Sequence, residues 1–350
     1  MLHVKLVLCI LFFSAKTVAY DFQGLADKHI VPGYMDLMQA NFQLVEALEG
    51  YCQDSKKIAI EEVRGSYAKS FLAWQAIQHI RFGPVEYLNR EHRFQLWPDK
   101  RGSVAKHLSV LLASEIVEGI DVSQKSVAVQ GFGALERLLF DVPSVTGKHC
   151  VVSLAISRNL ATMSRDVYAD WVQGDPPYMR FFVAPGADNY IFESEQELAS
   201  KLLNIMYAQL ELIVTQKLDR PLGNSVEQPY SQRVEAGRSE LSLPAIAKNL
   251  RSIEKMYQLI FGANVSEALN IEIETAFHAV NAALNPLSEP LHLAVGDPNK
   301  WQQVYLLRQA LSDLKRLFAQ PLSAELDLSL GFNSLDLSLI HISEPTRQDR

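Results

Sequence analysis

Apolar residues in the C-terminal part of the chain recur at the three- and four-residue steps of an α-helix. Asp297 and Pro298 supply an N-cap and a first-turn proline, and one stripe follows them: Trp301, Val304, Leu307, Leu311, Leu314 and Phe318. Ser194–Glu197 has the form of a capping box, and a second stripe follows it: Leu198, Leu202, Ile205, Met206 and Ile213. Helices are also predicted over residues 242–261 and 266–284. Together these four helices predict a C-terminal bundle.

The N-terminal part has the same periodicity, in five predicted helices: residues 31–52, 57–81, 103–118, 124–140 and 147–172. The sequence lacks the sustained alternation of apolar and polar residues that marks a half-buried strand. We therefore expect an all-α fold and not a βαβ or sandwich architecture.

A segment rich in proline and glycine separates the two groups of helices. It contains Pro176, Pro177, Pro185 and Gly186, which interrupt helical periodicity. We predict an N-terminal helical bundle over residues 20–175, a linker over 176–190 and a C-terminal helical bundle over 191–336.

Both ends of the chain call for separate treatment. Lys5, an apolar run over residues 6–13 and the small residues before Ala19 predict a secretory signal peptide over residues 1–19. The run is too short to span a bilayer, which makes a membrane anchor the weaker alternative, and no transmembrane span is expected after cleavage. Residues 337–350 look like translated sequencing adapter joined to an incomplete gene, so we exclude this tail, His341 included, from the interpretation.

The charge balance limits the possible partners. The chain has 33 basic and 40 acidic residues, a net charge of −7. Removal of residues 1–19 takes away Lys5 and Lys16 and makes the net charge −9. A nucleic-acid partner is therefore not expected, because phosphate binding needs a positive surface.

Two cysteines remain after the predicted cleavage, Cys52 and Cys150. In an oxidising compartment an even pair favours a disulfide. The alternative is two unrelated buried thiols.

The most informative segment is Gly131-Phe132-Gly133-Ala134-Leu135-Glu136, in the apolar stretch 126–140. It resembles the G-x-H-x-x-E signature of the imelysin-like family, also known as the M75 peptidases, with Gly133 at the position of the histidine. Four more segments resemble family elements in the same order: Trp74 with Arg81–Glu86, Trp97-Pro98-Asp99, Arg238–Ser242 and Gly331–Asp336. The family fold is a pair of related four-helix bundles, so the resemblance implies that architecture here.

The chemistry of the intact signature depends on helical spacing. A histidine and a glutamate three residues apart lie on one helix face and can bind the same ion. With Gly133 in place only Glu136 remains as a metal ligand, so the expected iron or divalent-metal site is degenerate. Gly131 is interpreted either as a packing glycine or as part of that site. A buried Glu136 needs a partner, and Arg81 and Arg238 are the expected ones.

The remaining candidates are weaker. Arg238, Ser239 and Ser242 could form an anion or carboxylate contact at a helix start, or Ser242 could simply cap the helix. The histidines are scattered singly, and a replacement metal site would have to combine His79, Glu86 and Glu136. The sequence contains neither a His-Glu-x-x-His helix nor a Gly-x-Ser-x-Gly turn.

The resemblance implies a periplasmic binding role in bacterial iron uptake. Its cleft would lie between the two bundles and would be lined by Glu136, Glu86, Arg81, Arg238 and Ser242. Components of an envelope iron-transport system are the expected partners. Two alternatives stay open: a metallopeptidase of the M75 type, and a partner-binding scaffold of an envelope transport complex that binds no metal.

Overall fold

The computed structural model describes residues 19–55, 58–115 and 119–331, and within these ranges the regular structure is entirely helical. The predicted all-α fold is confirmed. Eleven α-helices of five or more residues occur in the described ranges. The first seven are α1 Val31–Gln53, α2 Ile60–Ile77, α3 Arg90–Phe94, α4 Ser103–Ala113, α5 Phe132–Phe140, α6 Lys148–Val172 and α7 Tyr178–Val183. The last four are α8 Glu195–Leu212, α9 Ser242–Ile260, α10 Glu267–Leu284 and α11 Pro298–Leu317.

Side-chain caps explain several of the helix starts. Asp297 accepts hydrogen bonds from the backbone amides of Asn299 and Lys300 at the start of α11, with Pro298 in its first turn. The hydroxyl of Ser194 accepts from the amide of Glu197 at the start of α8, the bond of a capping box. Both helices therefore begin where the sequence predicts.

The helices enclose a continuous apolar core. Helix α1 packs along both α2 and α6, and α10 packs against α11. Helix α9 crosses from the C-terminal part to pack on α2. Buried residues run through the whole described chain without a break, from Phe22 to Leu328. The region where α9 meets α2 is therefore the place where the two parts of the sequence join.

Two predicted segments differ in detail from the structure. The helix predicted over 124–140 begins only at Phe132, after two short 3₁₀ turns, Val122–Gln124 and Val127–Val129. The predicted linker 176–190 contains α7, in which Tyr178 and Phe182 are buried against Trp171. The division into two bundles stays a prediction.

Cys52, at the end of α1, and Cys150, at the start of α6, form a disulfide in the structure. The S–S distance is 2.05 Å and the Cα–Cα distance is 5.8 Å. The bond ties together the ends of two helices that pack along each other.

Three sequence predictions fall outside the described residues. They are the signal peptide apart from Ala19, the tail 337–350, and the closing motif from Phe332 onward. None of the helices in the described part of the chain is long and apolar enough to cross a membrane.

Candidate functional site

Glu136 lies on α5 and faces a turn from the C-terminal part of the chain. Its side chain is buried, and its Oε1 accepts two hydrogen bonds from one residue: 3.0 Å from the Ser239 backbone amide and 2.8 Å from the Ser239 hydroxyl. The contact joins residues 103 positions apart in the sequence. A residue of the motif at 131–136 is therefore in direct contact with residues 238–242, another of the segments that resemble family elements.

Burial controls the protonation of this carboxyl group. Removal from water raises the pKa of Glu136 above its ordinary value, because burial penalises the charged form. The hydrogen bonds from Ser239 and the positive charge of Arg238 lower the pKa and offset part of that effect. The Glu136 carboxyl group thus accepts hydrogen bonds from the neutral amide and hydroxyl of Ser239 and forms no salt bridge with a described residue.

The expected arginine partners of Glu136 are used elsewhere. Arg238 donates from Nε to Oδ1 of Asp141, 2.6 Å away, just after the end of α5. Arg81 is exposed, and its Nε donates to the backbone oxygen of Gln78 at 3.4 Å. The expectation that one of these arginines pairs with Glu136 is wrong: hydrogen bonds from Ser239 replace the salt bridge.

The turn over residues 235–242, which we call the seam turn, has an unusual backbone. Ala236 and Glu240 have positive φ angles of 48° and 60°, a region that residues other than glycine seldom occupy. Ser242 is buried, and its hydroxyl donates to the backbone oxygen of Glu235. It is the first residue of α9 and does not cap that helix, since the N-cap position belongs to Leu241. Its hydroxyl closes the seam turn.

The other end of the seam turn is held by a buried ion pair. Lys217 Nζ lies 2.7 Å from Glu235 Oε2, and both side chains are almost fully buried. Lys217 also donates to Oε1 of Gln75 at 2.8 Å and to Oδ1 of Asn249 at 2.6 Å. Gln95 donates to Glu235 Oε1 at 2.8 Å. Side chains from both parts of the chain thus surround the ammonium with three acceptors and place a nitrogen donor group beside each carboxylate oxygen.

Sequence interpretation missed this network, although it left one signal. Lys217 follows Leu210 and Ile213 at the spacing of their apolar stripe, so it occupies a core-facing position. It lies in the π-helical segment Ile213–Asp219 that continues α8. A lysine at a core position indicates a buried partner, which is Glu235.

The two glycines of the motif have different surroundings. A Cβ on Gly131 would overlap the backbone oxygens of Arg93 and Phe94, so this residue is a packing glycine. It precedes α5 in an extended conformation, which explains why the predicted helix starts late. A Cβ on Gly133 would meet only the Val104 side chain, at 3.7 Å, an ordinary contact. Position 133 therefore has room for a Cβ atom.

Glu86 lies in a different turn. Its Oε2 accepts a 2.9 Å hydrogen bond from the backbone amide of Gly83, whose φ is 71°. Tyr178 packs against Gly83 where a side chain would otherwise lie. Glu86 thus stabilises a local turn beside the aromatic core, and its described contacts do not extend to Glu136.

His79 is paired with another histidine. Its Nε2 lies 2.9 Å from Nε2 of His29, and both rings are buried. One ring must donate and the other accept, so the accepting ring is neutral. Burial lowers the pKa of His29 to about 4, helped by the charge of Lys255. Burial also holds the pKa of His79 well below its ordinary value, with His29 and Arg81 adding to the effect.

The donors around Glu136 do not fit a metal ion. Its Oε1 accepts two hydrogen bonds from Ser239, and Gly133 offers no ligand one turn earlier. Within residues 19–55, 58–115 and 119–331, no three His, Cys, Asp or Glu side chains are grouped closely enough to hold one. The replacement site of His79, Glu86 and Glu136 is therefore not assembled.

Comparison with known proteins identifies the family. The family model for imelysin, peptidase family M75, matches residues 30–318. The chain belongs to the imelysin family. Iron-regulated protein A of Synechococcus elongatus is 23% identical over 205 residues, which cover 57% of this chain and 54% of that protein. The chain thus spans about half the length of this curated relative.

Solved structures show the same fold as this imelysin-family protein. An imelysin-like protein from Psychrobacter arcticum has a TM-score of 0.72 at 19% identity, covering 89% of this chain and 96% of its own. A crystal structure described as an iron-regulated protein A precursor, from Parabacteroides distasonis, has a TM-score of 0.66 at 15% identity, covering 87% of this chain and 97% of its own. At these identities the likeness concerns the all-α fold alone.

Proposed function

We propose that this imelysin-family protein is a periplasmic binding protein of bacterial iron uptake, and that the seam turn with Glu136 forms its functional surface. The observation that carries the proposal is the contact between the Glu136 carboxylate and Ser239. It joins two of the segments that resemble family elements, and it leaves the carboxylate bound to hydrogen-bond donors, without a second metal ligand among the described residues. Such a site suits recognition better than metal-activated hydrolysis.

The iron-uptake role is supported by the relatives. One is named iron-regulated protein A, and one of the similar structures is described as a precursor of such a protein. The predicted signal peptide over residues 1–19 and the disulfide between Cys52 and Cys150 agree with export to an oxidising compartment. Envelope iron-transport components are the proposed partners.

A deletion strain tests the role in iron uptake. We expect slower growth than wild type in medium depleted of iron by a chelator, equal growth in iron-replete medium, and recovery with the wild-type gene. Cell fractionation should recover the protein, cleaved after Ala19, in the periplasmic fraction. Equal growth of both strains in chelated medium would remove iron uptake from the proposal.

Metal titration tests the state of the motif. Calorimetry with Fe(II), Fe(III) and Zn(II) on residues 20–336 should show no tight site that depends on Glu136. The Gly133→His variant should gain one, because a Cβ at position 133 meets no close contact and the histidine would lie one turn from Glu136. If wild type binds tightly and Glu136→Gln abolishes binding, the inference that Gly133 disables the site is wrong.

The peptidase alternative rests on the family to which the chain belongs, which is named for peptidases. Chelator-sensitive cleavage of a denatured protein by the purified chain would favour it. The scaffold alternative predicts a growth defect together with no metal bound by the purified protein at any site.

A further inference from the structure

A cavity opens on the side of the molecule formed by α3 and α6. Its volume is about 530 Å³, within the range that holds small-molecule ligands. The turn at Leu88 and Asn89, the arginines of α3, the loop at Ser123 and one face of α6 line it. The cavity does not include Glu136 or the seam turn, so its use would be independent of the proposed function.

Two arginines, one turn apart on α3, line this cavity and differ in their partners. Arg90 is neutralised: its Nη1 lies 2.7 Å from Oδ2 of Asp170, and its Nη2 lies 3.9 Å from Asp166. Arg93 has only amide oxygens as partners, at 2.6 Å to Gln130 Oε1 and 3.5 Å to Asn159 Oδ1. Among the described residues, no carboxylate lies within salt-bridge distance of Arg93.

The guanidinium of Arg93 is held in a fixed position. Gln130 is buried, and its Nε2 donates to the backbone oxygens of Ser123 at 3.2 Å and Lys125 at 2.7 Å. Its Oε1 is therefore fixed where Arg93 meets it. Gly131 packs closely on the backbone of residues 93 and 94 because it has no side chain. This packing brings the neighbouring Gln130 next to Arg93. A positioned but uncompensated guanidinium is suited to receive an anion, because little side-chain freedom remains to be lost.

The walls of the cavity favour an anion further. Thr162 and Ser123 bring hydroxyl groups, which can donate to a bound oxygen. The carboxylate in the lining, Asp166, is engaged by Arg90 and, at 2.8 Å, by Arg165. Burial and the charge of Arg90 lower the pKa of Arg93, and the more distant charge of Asp121 offsets part of this effect.

We propose that this cavity is a binding site for a small oxyanion ligand, carrying a carboxylate or phosphate group, which Arg93 binds through two parallel hydrogen bonds. The planar guanidinium fork matches both groups. Arg90 links α3 to α6 through its salt bridge with Asp170, so it is not the main contact for the anion.

The test is calorimetric titration of the mature chain with succinate and with inorganic phosphate, at constant ionic strength made up with chloride. Binding should be saturable, with one molecule per chain. Arg93→Gln should weaken it at least about tenfold, because a charge-assisted bidentate contact is lost. Arg158→Gln is the matched control: this exposed arginine lies on α6, pairs with Glu49 and does not line the cavity, and its loss should change affinity less than about twofold.

Arg93→Lys supplies a second test if circular dichroism shows that Arg93→Gln does not fold. It keeps the charge but loses the fork, so affinity should also fall. Binding of succinate alone would assign a carboxylate ligand, and binding of phosphate alone a phosphate ligand. The proposal is overturned if neither probe binds saturably, if the folded Arg93 variants bind like wild type, or if Arg158→Gln loses as much affinity as they do.

Discussion

Alanine substitutions at the two motif glycines distinguish a packing position from a position with space for a side chain. At Gly133 the added Cβ lies 3.7 Å from Val104, so alanine fits. Glycine within a helix is less stable than alanine by about 0.5–1 kcal/mol, and Gly133→Ala should raise the free energy of unfolding by about that amount. At Gly131 the Cβ would overlap the backbone oxygens of Arg93 and Phe94, which, unlike side-chain atoms, cannot move to another rotamer. Overpacking of this kind costs about 1–3 kcal/mol, so Gly131→Ala should destabilise the protein.

Urea unfolding, followed by far-UV circular dichroism, measures both changes as shifts of midpoint at constant slope. The two variants should differ by about 1.5–4 kcal/mol, the combined range of the two effects. Gly65→Ala is the matched control, because Gly65 lies inside α2 with nothing within 4 Å of an added Cβ. It should stabilise the protein as Gly133→Ala does. If Gly133→Ala destabilises the protein while Gly65→Ala stabilises it, position 133 has no free space, and the reasoning behind Gly133→His is refuted.

Four further predictions concern buried polar groups and the disulfide. Burial raises the pKa of Glu136, so the folded state holds its proton to higher pH than the unfolded state does. The free energy of unfolding should therefore fall as pH rises from 4.5 through the raised pKa. Glu136→Gln should remove this pH dependence when unfolding is measured across that range. His29 has the opposite effect, because burial lowers its pKa from 6.5 to about 4. Acidification from pH 6.5 to pH 4 should therefore lower the free energy of unfolding of wild type by about 3 kcal/mol. His29→Gln should not show this loss in acid unfolding curves. Lys217→Met should lower the free energy of unfolding, measured in urea, by about 3–5 kcal/mol, because it leaves Glu235 buried without its partner. The double variant Lys217→Met, Glu235→Gln should regain most of that stability, because the second change removes the unpaired charge. Cys150→Ser should lower stability by about 2–5 kcal/mol, by the same assay with and without reductant, since the bond closes a long loop.

The sequence predicts helices best where local groups determine them. Asp297 and Ser194 cap their own helices through the next three residues, so both starts are visible without tertiary information. The start of α5 is different. Gly131 is extended because it packs on the carbonyl groups of residues 93 and 94, and that contact is invisible in the local pattern.

The partner of Glu136 could not be predicted for a related reason. Residue types indicate charge, and an arginine is the natural expectation for a buried carboxylate. The structure supplies a backbone amide and a hydroxyl, both from Ser239. Every residue except proline has a backbone amide, so only the fold determines which one reaches the carboxylate.

The Glu136 contact and the strained backbone of the seam turn belong to one arrangement. Ala236 and Glu240 adopt left-handed conformations that cost on the order of 1 kcal/mol or more each, so the turn needs fixed contacts on both sides. Glu235 provides them on one side through Lys217, and Ser239 provides them on the other through Glu136. A metal ion at Oε1 of Glu136 would displace the hydrogen bonds from Ser239 and release that side of the turn. In this chain the Glu136 carboxylate therefore stabilises the seam turn, with the amide and hydroxyl of Ser239 as its partners.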